Sequence, residues 1–209
     1  GNMATYMLYG PYPDWTARSY HRNSDGTAQM LWVRSDGIAS IWTMDTSGNM
    51  TTYMLYGPYP DWTARSYHRN SDGTGNMLWV RTDGYTSLWD MGAGGNMTTY
   101  MLYGPYPDWT ARSYHRNSDG AGQMLWVRTD RTASLWTMDT SNNMTSAKLY
   151  GPYPDWTAKS YYRKSDGTAR MLWVRTDGYT SLWDMDTSGN MISYKLYGPY
   201  AGWAAQDYD

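Results

Sequence analysis

The string YGPYPDWTARSYHRNSDG stands at 9–26 and returns unchanged at 56–73 and 103–120. A fourth copy, YGPYPDWTAKSYYRKSDG, fills 150–167, and a shorter fifth, YGPYAGWAAQDYD, occupies 197–209. Units begin at Gly1, Gly48, Gly95, Asn142 and Gly189, a constant period of 47 residues. A fixed period of this length makes each unit one supersecondary element that buries its apolar faces only against its neighbours, so the chain folds as a solenoid, a propeller or an array.

Within a unit the punctuation selects short strands. TYMLY (5–9), TARSYHR (16–22), QMLWVR (29–34) and IASIWTM (38–44) are set off by NSDGT, RSDGI and DTSGN. Asp-Gly and Gly-Asn in those turns supply the left-handed backbone angles of tight hairpins. The fourth connection, GPYPDW (10–15), is longer and holds two prolines, which cannot donate to a ladder. No stretch of ten residues between these breakers keeps a 3.6-residue period. The unit therefore reads as a four-stranded antiparallel meander.

Side-chain size orders its strands. MLWV (30–33) is apolar on both faces and suits a strand covered from both sides. Ala17 and Ser19 are small enough for a crowded centre. Met7 is replaced by Lys148 and Lys195 in later copies, so that position faces water. TARSYHR is thus innermost, the two Trp strands lie in the middle, and TYMLY is the outer edge, the plan of a propeller blade. The fold class expected is all-β, a β-propeller of 47-residue blades at 16–56, 63–103, 110–150 and 157–197. Strands near 3–9 and 203–208 are left over, as the outer and inner strands of a fifth blade without its two middle ones. Three outcomes stay open: four blades close and the ends dangle, the chain is part of a larger ring, or the ends pair with another molecule.

The string YGPY…WTA…LW…DG…SLW resembles the blades of bacterial tandem-repeat β-propellers over the whole chain, and the 47-residue four-stranded unit is similar in plan to the tachylectin-2 class of propeller lectins. In the bacterial repeats a Gly usually precedes the loop Trp; Gly202 fits this, whereas Asp14, Asp61, Asp108 and Asp155 depart from it. SLWDMDTSGNM also resembles choline-binding cell-wall repeats, whose unit of about twenty residues is too short for this period.

Composition narrows the function. The 13 Trp and 22 Tyr, with no Phe, make a core of flat side chains whose N–H and O–H groups need partners when buried. There is no Cys, which removes disulfides and thiolate metal sites. No apolar run approaches the roughly 20 residues of a membrane-spanning helix, and the first residues lack the charge pattern of a signal peptide. A net charge of −2 with interspersed signs offers no basic stripe for nucleic acid.

Catalysis asks for one asymmetric constellation, and here each candidate group recurs in copies. His21, His68 and His115 share a position that the fourth unit gives to Tyr162, which identifies it as a packed strand position. The Asp of each SDG is a turn residue, DTSGN lacks the ligand alternation of a calcium loop, and no phosphate loop or nucleophile elbow is present. Neither enzymatic activity nor a metal or other cofactor is expected. NMT at Asn49, Asn96 and Asn143 matches the glycosylation pattern, but a hairpin turn explains the Asn.

The differences between copies speak more than their sameness. PYPDW is kept in the four full units while Arg18, His21 and Asn23 change to Lys159, Tyr162 and Lys164, and Arg131 replaces the Gly of Gly37, Gly84 and Gly178. In a propeller the YPDW loop shares a rim with the turn after LWVR. The candidate ligand-binding set is therefore Tyr12, Asp14, Trp15 and Arg34; Tyr59, Asp61, Trp62 and Arg81; Tyr106, Asp108, Trp109 and Arg128; and Tyr153, Asp155, Trp156 and Arg175. Aromatic faces beside Asp and Arg suit sugar rings, whereas a structural role would have Trp15 wedge between blades and the prolines stiffen the connection. The function expected is a non-enzymatic, multivalent, lectin-like propeller with glycan partners, working outside the cell or at its surface. The alternative is a structural or protein-interaction scaffold, engineered or recently amplified, that forms homo-oligomers through its end strands.

Overall fold

The computed structural model describes residues 7–70, 72–117, 119–200 and 202–208. Among these the chain is all-β without helix, and four antiparallel four-stranded blades stand in a ring as a four-blade β-propeller. Blade 1 holds β1 (Trp15–Arg22), β2 (Ala28–Arg34), β3 (Ala39–Met44) and β4 (Met50–Tyr56). Blade 2 holds β5 (Trp62–Arg69), β6 (Gly75–Arg81), β7 (Thr86–Met91) and β8 (Met97–Tyr103). Blade 3 holds β9 (Trp109–Arg116), β10 (Gly122–Arg128), β11 (Ala133–Met138) and β12 (Met144–Tyr150), and blade 4 holds β13 (Trp156–Arg163), β14 (Ala169–Arg175), β15 (Thr180–Met185) and β16 (Met191–Tyr197).

The strand order expected from side-chain size is the one observed. β1, β5, β9 and β13 face one another in sequence around the axis, while the outer strands expose Leu55, Leu102, Leu149 and Leu196. Gly26, Gly37 and Gly48 take φ of 84°, 89° and 83° in the three turns of blade 1, as the Asp-Gly and Gly-Asn signals require. Arg131, in place of such a Gly, is held at φ 71°, so unit three strains its turn rather than relaxing it. The Gly–Pro bond opening each YGPY loop is cis.

Blades pack through two unlike faces. Trp79 and Met77 of blade 2 meet Leu31, Val33 and Ile41 of blade 1, with Ala64 of β5 between them, and Trp126 meets Leu78, Val80 and Leu88 in the same way. Tyr56, Tyr103 and Tyr150 lock the outer seam by donating their hydroxyls to the turn carbonyls of Gly95, Asn142 and Gly189 at 2.7–3.0 Å. At the inner seam the Ser19, Ser66 and Ser113 hydroxyls accept the backbone N–H of Tyr67, Tyr114 and Tyr161 at 3.0–3.2 Å. The Nε1–H groups of Trp32, Trp79, Trp126 and Trp173, by contrast, are buried without a hydrogen-bond acceptor. Tyr12 and its copies make T-shaped contacts with each of these indoles at 5.3–5.5 Å.

Near its N-terminus the chain bonds to blade 1, and near its C-terminus to blades 4 and 1. Residues 7–9 and 203–208 carry no regular strand, and residues 3–6 of the expected N-terminal strand lie outside the described residues. Both ends nevertheless repeat the contacts of a blade. Tyr9 donates its hydroxyl to the Gly48 carbonyl at 2.9 Å, as Tyr56 does to Gly95. Tyr208 N–H donates to Ser160 Oγ at 3.0 Å, and Tyr20 N–H donates to a carboxylate oxygen of Asp207 at 3.2 Å. Asp207 occupies the position of Ser19 in the repeat, so five inner seams are bonded around the axis.

Every inner strand also carries a register break. Ala17 pairs with Trp32 and Ser19 with Leu31, leaving Arg18 unpaired between them, and the same break isolates Arg65, Arg112 and Lys159. A bulge of this kind re-aims one side chain, and these four, one on each inner strand, lie near enough for Arg65, Arg112 and Lys159 to feel the other cations.

Candidate functional site

The rim that bears the YPDW loops brings the expected residues together in part. The Asp14 carbonyl accepts from Ser35 N–H at 2.9 Å, and Asp61, Asp108 and Asp155 do the same for Thr82, Thr129 and Thr176, which ties each loop to the β2–β3 type turn. The guanidinium of Arg34 lies over the Trp15 ring at 5.4 Å, and Arg81, Arg128 and Arg175 cover Trp62, Trp109 and Trp156 at 5.2–5.4 Å. Each Arg is held by a carboxylate two residues on; Arg34 bonds both oxygens of Asp36 at 2.7 and 2.9 Å. That contact holds the Asp36 carboxyl below the usual carboxylate range.

Tyr12 does not join this cluster. It stands edge-on to Trp32 and Trp42 of its own blade at 5.5 Å, and Tyr59, Tyr106 and Tyr153 do likewise while keeping an exposed edge. Trp15 and Arg34 thus form one unit and Tyr12 a second, and the exposed Asp14 is near enough for Arg34 to feel its charge. Loop conformation varies between copies: Asp61 takes a left-handed φ of 67° and Gly202 one of 78°. A groove of about 300 Å³ runs beside the first copy, lined by Pro13, Asp14, Arg34 and Ser35 and reaching inward to Arg18 and Thr63.

At the opposite end of the axis His21, His68, His115 and Tyr162 pack edge to face, with centroids 4.3, 4.3 and 4.8 Å apart. Burial, with His115 and His21 adding like charge, pushes His68 well below the ordinary range of an imidazole. The position is a packed one, as its replacement by Tyr162 implies. The space between these rings measures about 30 Å³, roughly that of one water. Among the described residues no group of three or more His, Cys, Asp or Glu is placed to hold a metal.

The residues that the sequence reading passed over are Arg18, Arg65, Arg112 and Lys159. The change of Arg18 to Lys159 looked like drift, yet it keeps the charge at the innermost position of every complete blade.

No family model matches the chain, and no curated protein matches it. Solved structures do resemble it. A protein of unknown function from Bacteroides caccae superposes with a TM-score of 0.52 at 10% identity, over 90% of this chain and 84% of that one. An engineered GH43 glycoside hydrolase with endo-xylanase and exo-arabinofuranosidase activity gives 0.54 at 13% identity, over 88% of this chain and 39% of that one. A luciferin-regenerating enzyme gives 0.50 at 10% identity, over 86% and 75%. At these identities the likeness is one of fold, and the enzymes among the neighbours leave this chain's chemistry to its own residues.

Proposed function

We propose that the chain is a non-enzymatic, multivalent carbohydrate-binding ring with one weak site per blade on the YPDW rim. The observation that carries this reading is the fourfold repetition, on one rim, of a Trp–Arg stack beside an exposed Asp and an exposed Tyr edge. A sugar ring would lay its C–H face on the exposed Tyr12 ring, and Asp14 and Arg34 would take its hydroxyls. Modest sites on a rigid ring gain strength when a surface displays many ligands. Glycans are the partners of this reading, and a place outside the cell follows from it.

Glycan-array binding tests it, run beside a variant with Trp15, Trp62, Trp109 and Trp156 changed to Ala and its fold checked by circular dichroism. Binding lost with the fold intact supports the rim. Binding by neither protein, at concentrations where weak multivalent lectins register, refutes it.

One observation favours a second reading, an interaction scaffold. The outer strands expose apolar residues, Met50, Tyr53 and Leu55 on β4 and Ile192, Tyr194 and Leu196 on β16, along edges that pair with no strand among the described residues. Concentration-dependent mass in sedimentation, abolished by Lys in place of Leu55 and Leu196, would establish it. The chain ends carry less of this reading, because they are bonded within the molecule.

A further inference from the structure

The four basic residues at the bulges make a site that the sugar reading does not use. Arg18, Arg65, Arg112 and Lys159 stand at the register breaks of the inner strands β1, β5, β9 and β13, which neighbour one another in turn around the axis. Burial is the main influence on each, and no acidic group offsets it. Arg65 feels Arg112 and Arg18, and Lys159 feels all three arginines. Burial and this mutual repulsion bring Arg65 down to about 10. The Nε–H groups of Arg18, Arg65 and Arg112 are buried without an acceptor. The fifth position of the ring, in the segment that closes it, is Gln206, a neutral side chain that can also donate.

Like charges gathered near an axis, with donors that no protein group fills, are unfavourable, and an anion sharing the space would relieve both costs. Guanidinium groups supply planar donor pairs that match oxoanions, and the groove from Asp14 and Arg34 inward to Arg18 gives a path from the rim. We infer that the axial ring of Arg18, Arg65, Arg112 and Lys159 binds a doubly charged oxoanion, a phosphate or sulfate group, on the loop side of the channel. The histidine ring closes the other end. The inference stands apart from the sugar reading, and either can fail alone.

Calorimetric titration of inorganic phosphate, sulfate and glucose 6-phosphate, each in chloride buffer of matched ionic strength at neutral pH, tests it. The variant is R65Q/R112Q, which copies the Gln already present at position 206 and removes repulsion, so its melting point is expected to equal or exceed the parent's. One saturable site per chain is expected, with affinity lowered about tenfold or more in the variant. Occupancy should also raise the parent's melting temperature by roughly 3–5 °C at ten times the dissociation constant, and leave the variant's unchanged. If the phosphate monoester binds more tightly than the free ions, the anion belongs to a larger molecule entering from the rim; if the free ions bind more tightly, the ion itself is the ligand. Absence of saturable binding in the parent by both heat and melting would overturn the inference, as would equal affinity in a folded variant.

Discussion

Three seams of the ring join complete blades, and one is closed by the chain's two ends. The complete seams each combine an inner Ser-to-backbone bond, an outer Tyr-to-turn bond, and a Trp face pressed on a Leu/Val face. The end seam reproduces the inner bond twice, through Ser160 with Tyr208 and Asp207 with Tyr20, and the outer bond once, through Tyr9. What it lacks is the interdigitated pair of middle strands. Ring closure and blade packing are therefore separable: polar bonds at the two radii set where a blade sits, and the middle strands supply the apolar burial. Exposure follows the same division, since Trp126 at a complete seam is 0% exposed and Trp32, whose face looks toward the ends, is 7%.

The largest expected effect tests the apolar half of that contrast. Trp126→Ala leaves a cavity at a full seam and should cost about 3–5 kcal/mol in urea unfolding. Trp32→Ala, with fewer neighbours to lose and more room to relax, should cost clearly less; equal losses would mean that the ends pack as well as a blade. Next comes the polar half. Ser113→Ala strands the buried Tyr161 N–H and should cost about 1–3 kcal/mol, whereas Asp207→Ala releases the more exposed Tyr20 N–H, which water can reach, and should cost less than about 1 kcal/mol. A larger loss for Asp207→Ala would show that the end segment holds the ring shut.

The axis gives a pH test of the same closure. Burial, with His115 and His21 beside it, holds His68 well below the ordinary imidazole range in the folded ring, so it takes up its proton less readily there than in the unfolded chain. Below about pH 6.5 the unfolded chain therefore binds more protons, and stability falls with falling pH by up to about 1.4 kcal/mol per pH unit. His68→Tyr, the residue that blade 4 already uses at Tyr162, should flatten the unfolding midpoint between about pH 6.5 and pH 5. An unchanged slope would mean that His68 protonates in the folded ring.

Much of this fold was legible. The period, the Asp-Gly and Gly-Asn turns and the size ordering of strands led to the observed blade, because each rests on local backbone chemistry or on repetition. The loop and the following turn were also rightly placed on one rim. Two features were hidden. Strict alternation along TARSYHR says nothing of a bulge at Arg18, since the bulge arises from pairing with QMLWVR and from the close approach of neighbouring inner strands. Its one sequence trace is a cation kept through Arg18, Arg65, Arg112 and Lys159 while nearby positions change. The seating of the ends within the molecule was none of the three outcomes left open, in which the ends dangle, belong to a larger ring or pair with another molecule, because sequence names the strand positions and not the chain that fills them. Within the site, Tyr12 was grouped with Trp15, and the cis Gly–Pro geometry that opens the loop had no sequence mark beyond the proline itself.

The smallest expected effect lies at the seam between blades 3 and 4, where unit three departs from its siblings. Arg131 holds a left-handed φ of 71° and in return reaches across the seam to the Pro154 carbonyl of the next loop. Its counterpart Gly84 has no room for a side chain directed at the neighbouring loop, since a Cβ there would meet the Tyr106 backbone at 3.0 Å. Arg131→Gly relieves the backbone strain and loses one exposed hydrogen bond, so the net change should be within about 1 kcal/mol and on the stabilising side. Arg131→Ala keeps the strain and loses the bond, and should destabilise by about 0.5–1.5 kcal/mol. Measured together by thermal unfolding, the two substitutions separate strain from contact. If Gly proves as costly as Ala, the reach to Pro154 outweighs the strained turn, and this seam owes more to its rim than its siblings do.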